Sequence, residues 1–168
     1  PEPCIRERHG AMRYLLSILL LFTALPASAK GEANNPLPVD PPLAPWLTMK
    51  DDVTIAAPVN LLDDIPATAN DGLVNALVEI PTGSNAKWEV KPDGVMHWDM
   101  KDGKPRVVKY LSYVGNYGMV PSTRQGDGDP VDILILAPAY PRGSLVPVRL
   151  IGALRFTDKG EQDDKLLA

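Results

Sequence analysis

From residue 73 onward, apolar and polar positions recur in short blocks separated by turn signals. Val74–Ile80 is an apolar run that ends at Pro81-Thr82-Gly83-Ser84. Residues 87–91 alternate with period two, so Lys87 and Glu89 face one side of a strand and Trp88 and Val90 the other. Pro92-Asp93-Gly94 turns the chain into a strand over residues 95–99, on which His97 and Trp98 point to opposite faces. Asp102-Gly103 turns it again into residues 107–114. Residues 131–136 read as a buried strand. Residues 146–156 read as one long strand entered through Pro141-Arg142-Gly143. About six strands on short turns, with no long helix, predict a small closed or partly closed β-barrel.

The beginning of the chain reads differently. Met12-Arg13-Tyr14 is a short positive start, residues 15–25 are strongly apolar, and Ala27-Ser28-Ala29 is a small-residue cleavage pattern. This is the layout of a secretory signal peptide. An eleven-residue run at about 1.5 Å per residue falls far short of a bilayer core of roughly 30 Å. The chain opens on Pro1, so residues 1–11 read as upstream translation before an initiator Met12. Five of the twelve residues 34–45 are proline, which forbids helix and interior strand. The expected organisation is therefore upstream residues plus signal peptide over 1–29, proline-rich linker and N-terminal arm over 30–72, and barrel domain over 73–168. In the arm, Asp51-Asp52, Asp63-Asp64 and Asp71-Gly72 read as turns.

Composition narrows the chemistry. The chain has 168 residues, 45% of them apolar, which suffices for one domain with a core. Eighteen prolines and 6% aromatics argue against a helical bundle. A net charge of −4 argues against general nucleic-acid binding. Cys4 is the only cysteine, which excludes thiol catalysis, a disulfide scaffold and thiolate-bound zinc. With His9 and His97 the only histidines, the chemistry falls to carboxylates, lysine, arginine and tyrosine.

Asp127-Gly128-Asp129-Pro130-Val131-Asp132 puts three acids within six residues at the mouth of an apolar strand. Such carboxylates repel one another unless a cation sits between them, and oxygen-only donors suit magnesium, manganese or calcium. A polar hairpin turn is the simpler alternative, and an EF-hand loop fits poorly because position twelve is Pro138. A second acidic cluster, residues 157–165, follows the last long strand and taken alone reads as a solvated turn. Lys87, Glu89, Arg106, Tyr113 and Tyr117, all ahead of the first cluster, supply cations and hydroxyls on or between strands. Carboxylates for hard cations, opposed by lysine and arginine, suit a strongly anionic phosphate substrate.

At these residues the chain resembles the family I soluble inorganic pyrophosphatases. Asp127 to Ile133 matches the signature D-x-D-P-x-D-apolar. Glu79-Ile80-Pro81, Lys87-Trp88-Glu89, Arg106, Tyr113-x-x-Asn116-Tyr117-Gly118 and Thr157-Asp158 to Lys165 follow in family order. The resemblance covers residues 73–168 and implies an OB-like five-stranded β-barrel with peripheral helices that hydrolyses inorganic diphosphate with Mg²⁺. By motif position, Asp127, Asp132 and Asp163 would hold the two metals nearest the attacking water. Asp129 would be the general base. Asp158, with Asp163, would hold a substrate-associated metal, and Glu79 would serve another. Lys87, Arg106, Tyr117 and Lys165 would contact phosphate oxygens, with Glu89 and Tyr113 in support. Lys104 and Lys109 compete for the arginine's role. Family members continue beyond Lys165 with a Tyr-Lys pair and a terminal helix, so the chain is expected to be the front part of a longer product. The resemblance further implies a homo-oligomer at full length; the acidic charge argues against a nucleic-acid partner, and after cleavage of the short leader no stable membrane insertion is expected. Two other readings remain open: an exported non-catalytic β-domain binding Ca²⁺ or anions, and an oligonucleotide-binding module.

Overall fold

A computed structural model describes residues 41–158 and 160–168. The leader, its cleavage site and most of the proline-rich linker lie outside the described residues. The described chain is built from strands. They are β1 (Thr48–Asp51), β2 (Thr54–Ala56), β3 (Val74–Ile80), β4 (Trp88–Val90), β5 (Met96–Trp98), β6 (Met100–Lys101) and β7 (Lys104–Pro105). There follow β8 (Asn116–Val120), β9 (Val131–Ile135), β10 (Leu145–Val148), β11 (Gly152–Leu154), β12 (Thr157–Asp158), β13 (Glu161–Gln162) and β14 (Lys165–Leu167). The only helical element among the described residues is the 3₁₀ turn Asn70–Gly72, so they contain none of the expected outer helices.

Two sheets carry the fold. The larger has the order β10-β3-β8-β9-β14-β11, and the smaller β1-β2-β5-β4. All pairings in the larger sheet are antiparallel except β14 with β9, which run parallel. Its two edge strands, β10 and β11, are separated in the chain by only three residues. Four Cα–Cα steps of 3.8 Å span at most about 15 Å, so the sheet must curl. No ladder joins those edges among the described residues, so this OB-like barrel is curled but not closed. Ile55, Leu61, Leu77, Trp88 and Met96 form one core cluster, and Ala76, Val78, Val120, Ile133 and Ile135 another. β3 is buried almost along its length and feeds both.

The alternation reading holds in β4, where Trp88 and Val90 are buried and Glu89 is half-buried. Trp98 stacks on Trp88 with ring centroids 5.2 Å apart, on the face opposite His97. Two strand expectations need correction. Residues 107–114 form no strand. This segment hangs on the turn beneath it, with Val108 N donating to Asn85 O at 2.8 Å and Tyr113 N to Ser84 O at 3.1 Å. Tyr110, Leu111 and Val114 are exposed, because β8 already occupies the ladder between β3 and β9. The long strand over 146–156 is broken into β10 and β11, which pair at opposite edges of the sheet.

β8 is central and carries Gly118. A Cβ there would lie 1.8 Å from the Leu77 carbonyl oxygen, a backbone atom with no freedom to retreat. Gly118→Ala is therefore expected to lower unfolding free energy by about 3 kcal/mol, the upper range for overpacking. Urea titration followed by circular dichroism measures this. A loss below about 0.5 kcal/mol, typical of a tolerant surface site, would contradict the close contact.

Candidate active site

A cleft of about 620 Å³ opens between the two sheets. On the larger sheet, Glu79 comes from β3, Tyr117 from β8, Asp132 from β9 and Lys165 from β14. Asp127 and Asp129 lie in the loop before β9, Asp158 in β12, and Asp163 just before β14. The smaller sheet contributes Glu89 from β4 and its flanking residues Lys87 and Lys91, and Arg106 follows β7. Eleven of the twelve residues expected from the motifs thus line one cleft. The twelfth, Tyr113, is not in the lining but packs on Tyr117, ring centroids 5.3 Å apart. Lys104 and Lys109 are exposed and outside the lining, whereas Arg106 is within it.

Local geometry explains each placement. The β3–β8 register shifts between Val78 and Ile80, leaving Glu79 on a bulge. Bulges re-aim side chains, and this one carries the Glu79 carboxylate across to β4, where Oε1 accepts Val90 N–H at 2.6 Å. Burial pushes the Glu79 carboxyl up to about 8, a rise that the Val90 hydrogen bond only moderates and that Asp132 and Glu89 increase. Parallel pairing of β14 with β9 puts Lys165 in register with Asp132. The Lys165 ammonium bonds both Asp132 Oδ2 and Asp163 Oδ1. Burial opposes the lysine's charge, but the two carboxylates outweigh it and hold its proton above the ordinary range. Asp132 is raised by burial against the pull of Lys165 and of the Tyr117 hydroxyl, to which it is hydrogen-bonded. The Tyr117 phenol is itself raised, by burial and by Asp132, and stays a proton donor. Ahead of β9, Asp127 Oδ1 accepts Asp129 N–H at 3.0 Å, and Gly128 takes the left-handed φ of 91° that this turn needs.

The opposite wall is a chain of ion pairs. Glu89 binds Lys87 at 2.7 Å and also Lys91. Asp99 accepts Arg106 Nη1 at 3.0 Å and lies within 4 Å of both lysines. Burial works against the charge on Lys87, but Glu89 and Asp99 raise its proton affinity overall. The motifs did not single out Lys91, Gln125 or Asp99. Lys91 was findable, since it continues the period-two face of Lys87 and Glu89. Asp99 ends the β5 alternation, but nothing local marks it as a hub for three cations. Gln125 carries no such signal.

Among the described residues, seven carboxylates and four cationic side chains line the cleft, and no histidine or cysteine does. An all-oxygen donor set with excess negative charge fits a hard divalent cation. Among the described residues no three such groups are already gathered about a single point. Asp132 and Asp163 are drawn together by Lys165, and Asp127 is engaged by its own turn.

Comparison with known proteins agrees with this geometry. The inorganic pyrophosphatase family profile matches residues 76–168. The inorganic pyrophosphatase of Campylobacter jejuni is 43% identical over 98 residues, covering 56% of this chain and 54% of that protein. That of Rickettsia typhi is 37% identical over 114 residues, covering 64% and 59%. Among solved structures, type I inorganic pyrophosphatase from P. falciparum superposes with a TM-score of 0.67 at 27% identity, over 72% of this chain and 49% of that one. The Thermus thermophilus inorganic pyrophosphatase does so with 0.55 at 34% identity, over 65% and 61%. The chain belongs to family I of the inorganic pyrophosphatases. It spans little more than half the length of the curated relatives it matches.

The raised Glu79 carboxyl has a pH signature in metal-free protein. Its folded pKa of about 8 lies above the ordinary 4.5, so between these values the folded state holds a proton that the unfolded state has lost. Stability conferred by protonated Glu79 is full below about pH 4.5 and is lost as pH rises toward 8. In EDTA, Glu79→Gln is expected to flatten this slope, making the variant more stable than wild type at pH 8 by on the order of 3 kcal/mol. Urea titrations at pH 5 and pH 8 check it, and parallel slopes for both proteins would refute a buried, proton-holding Glu79.

Proposed function

We propose that the protein hydrolyses inorganic diphosphate to two phosphates with Mg²⁺ bound by the cleft carboxylates. The observation that carries this reading is the convergence, in one cleft between two sheets, of residues scattered from Glu79 to Lys165. Asp127, Asp132, Asp163, Asp158 and Glu79 would hold the metal ions. When bound, these supply positive charge to the diphosphate oxygens and lower the pKa of water near neutrality. Asp129 takes a proton from the water that attacks one phosphorus. The new P–O bond forms as the bridging P–O bond breaks, and the second phosphate leaves. Lys87, Arg106, Tyr117 and Lys165 donate to phosphate oxygens and orient them for in-line attack. Glu89 fixes Lys87 and Lys91 in place, and Tyr113 buttresses Tyr117.

Phosphate release from diphosphate, with and without Mg²⁺, tests the reading directly. Asp129→Asn keeps the shape and removes the base. A fall in kcat of about a hundredfold or more is expected, and near-normal turnover would remove Asp129 from that role. Absent turnover with intact Ca²⁺ binding would favour a non-catalytic β-domain instead.

We also propose that the protein is exported, with cleavage after Ala29. The support is the eleven-residue apolar run followed by a small-residue site. Mass spectrometry of the mature protein from its host should find Lys30 at the N-terminus. A mature chain that retains residues 15–25 would contradict cleavage.

A further inference from the structure

The two walls of the cleft belong to different sheets, so something other than a strand ladder must set their separation. Arg142 is placed to do this. It sits in the turn before β10 and is only 1% exposed. The bulge at Glu79 takes that residue out of the β3–β8 register, and Arg142 Nε donates to the Glu79 carbonyl at 2.9 Å. The same guanidinium lies over the ring of Trp88 in β4, 5.0 Å from its centroid, and Trp88 packs on Trp98 of β5. One side chain therefore touches the backbone of one wall and the core ring of the other. The flanking turn adds a second tie to the larger sheet, since Gly143 N donates to Val78 O at 2.6 Å and Val78 N to Ser144 O at 2.9 Å. The main chain of Arg142 is fixed from outside by the N-terminal arm, through Arg142 N to Pro42 O at 2.9 Å and Ala44 N to Arg142 O at 2.8 Å. Burying a guanidinium is costly, and a turn that only reverses the chain has no need of one.

We propose that Arg142 is a positioning residue of the cleft, pinning the Glu79 bulge to Trp88 and so setting the distance between the carboxylate wall and the cationic wall. Its effect on turnover rests on the diphosphate reading above; its effect on wall spacing does not. The proposed base and most metal-holding carboxylates stand on the larger sheet or its loops, while Lys87 and Arg106 stand on the other side. A displacement of about 1 Å between reacting groups is enough to cost about a hundredfold in rate.

The test uses the full chain with Cys4→Ser and spin labels at Lys50→Cys in β1 and Ala153→Cys in β11, both exposed and on edge strands of different sheets. Arg142→Met keeps an extended side chain without a stranded charge, and Arg142→Lys keeps the charge without the planar fork. Pulsed electron resonance is expected to give a narrow inter-sheet distance distribution for Arg142 and a broadened or shifted one for both variants. Below the melting temperature, Arg142→Met should lower kcat for diphosphate about tenfold or more with KM changed less than about threefold, and Arg142→Lys should fall between. A folded variant with an unchanged distribution and wild-type kcat overturns the proposal. If Arg142→Met does not fold, Arg142→Lys is read by the same two criteria. Failure of both to fold would make Arg142 a requirement of folding rather than of spacing. If the parent protein does not turn over diphosphate, the functional reading fails while the label distances still decide the role of Arg142.

Discussion

Repulsion among carboxylates is the constraint on which this structure depends. Seven acidic side chains face a single cleft, and no fold tolerates that density of like charge without cations close by. The answer is built into strand pairing. Because β14 runs parallel to β9, Lys165 falls opposite Asp132 and reaches Asp163 as well. On the far wall, Glu89 and Asp99 hold Lys87, Lys91 and Arg106 in one connected set. Tyr117 adds a neutral hydroxyl to Asp132, and Glu79, deepest of the acids, is held protonated by its burial. The cleft is thus neutralised in part by its own cations and retains an excess of carboxylate oxygen for ions from solution.

The fold was legible where residue chemistry and backbone preference agree. Val74–Ile80 is mostly apolar and free of glycine and proline, and β3 occupies those residues. The alternation of residues 87–91 foretold the buried Trp88 and the cleft-facing Lys87 and Glu89, and the acids before β9 marked the strand Val131–Ile135. It was illegible where tertiary contact overrides propensity. β8, Asn116–Val120, holds an asparagine and a glycine, both poor strand formers. Yet Asn116 is fully buried, accepting from Thr82 and Tyr140 and donating to the Ala137 and Pro138 carbonyls. Gly118 is there because a neighbouring backbone leaves no room for a side chain. The better strand former, residues 107–114, was displaced to the surface.

The candidate site was more readable than the fold, because functional chemistry constrains residue type and order more tightly than a strand does. What the motifs missed are residues that act through others. Asp99 organises three cations, Lys91 extends a charged face, and Arg142 looks like part of a turn until its guanidinium is seen beneath Trp88. Their roles depend on the meeting of two sheets, which no local pattern encodes.

The central claim is that the cleft carboxylates receive divalent cations in place of the internal neutralisation that Lys165 provides. Anomalous diffraction from crystals of the full chain soaked in Mn²⁺ tests it most directly. The account predicts anomalous peaks among Asp127, Asp132 and Asp163, with the Lys165 ammonium no longer shared between Asp132 and Asp163. Peaks confined to other surface carboxylates, with Lys165 still bridging that pair, would contradict it.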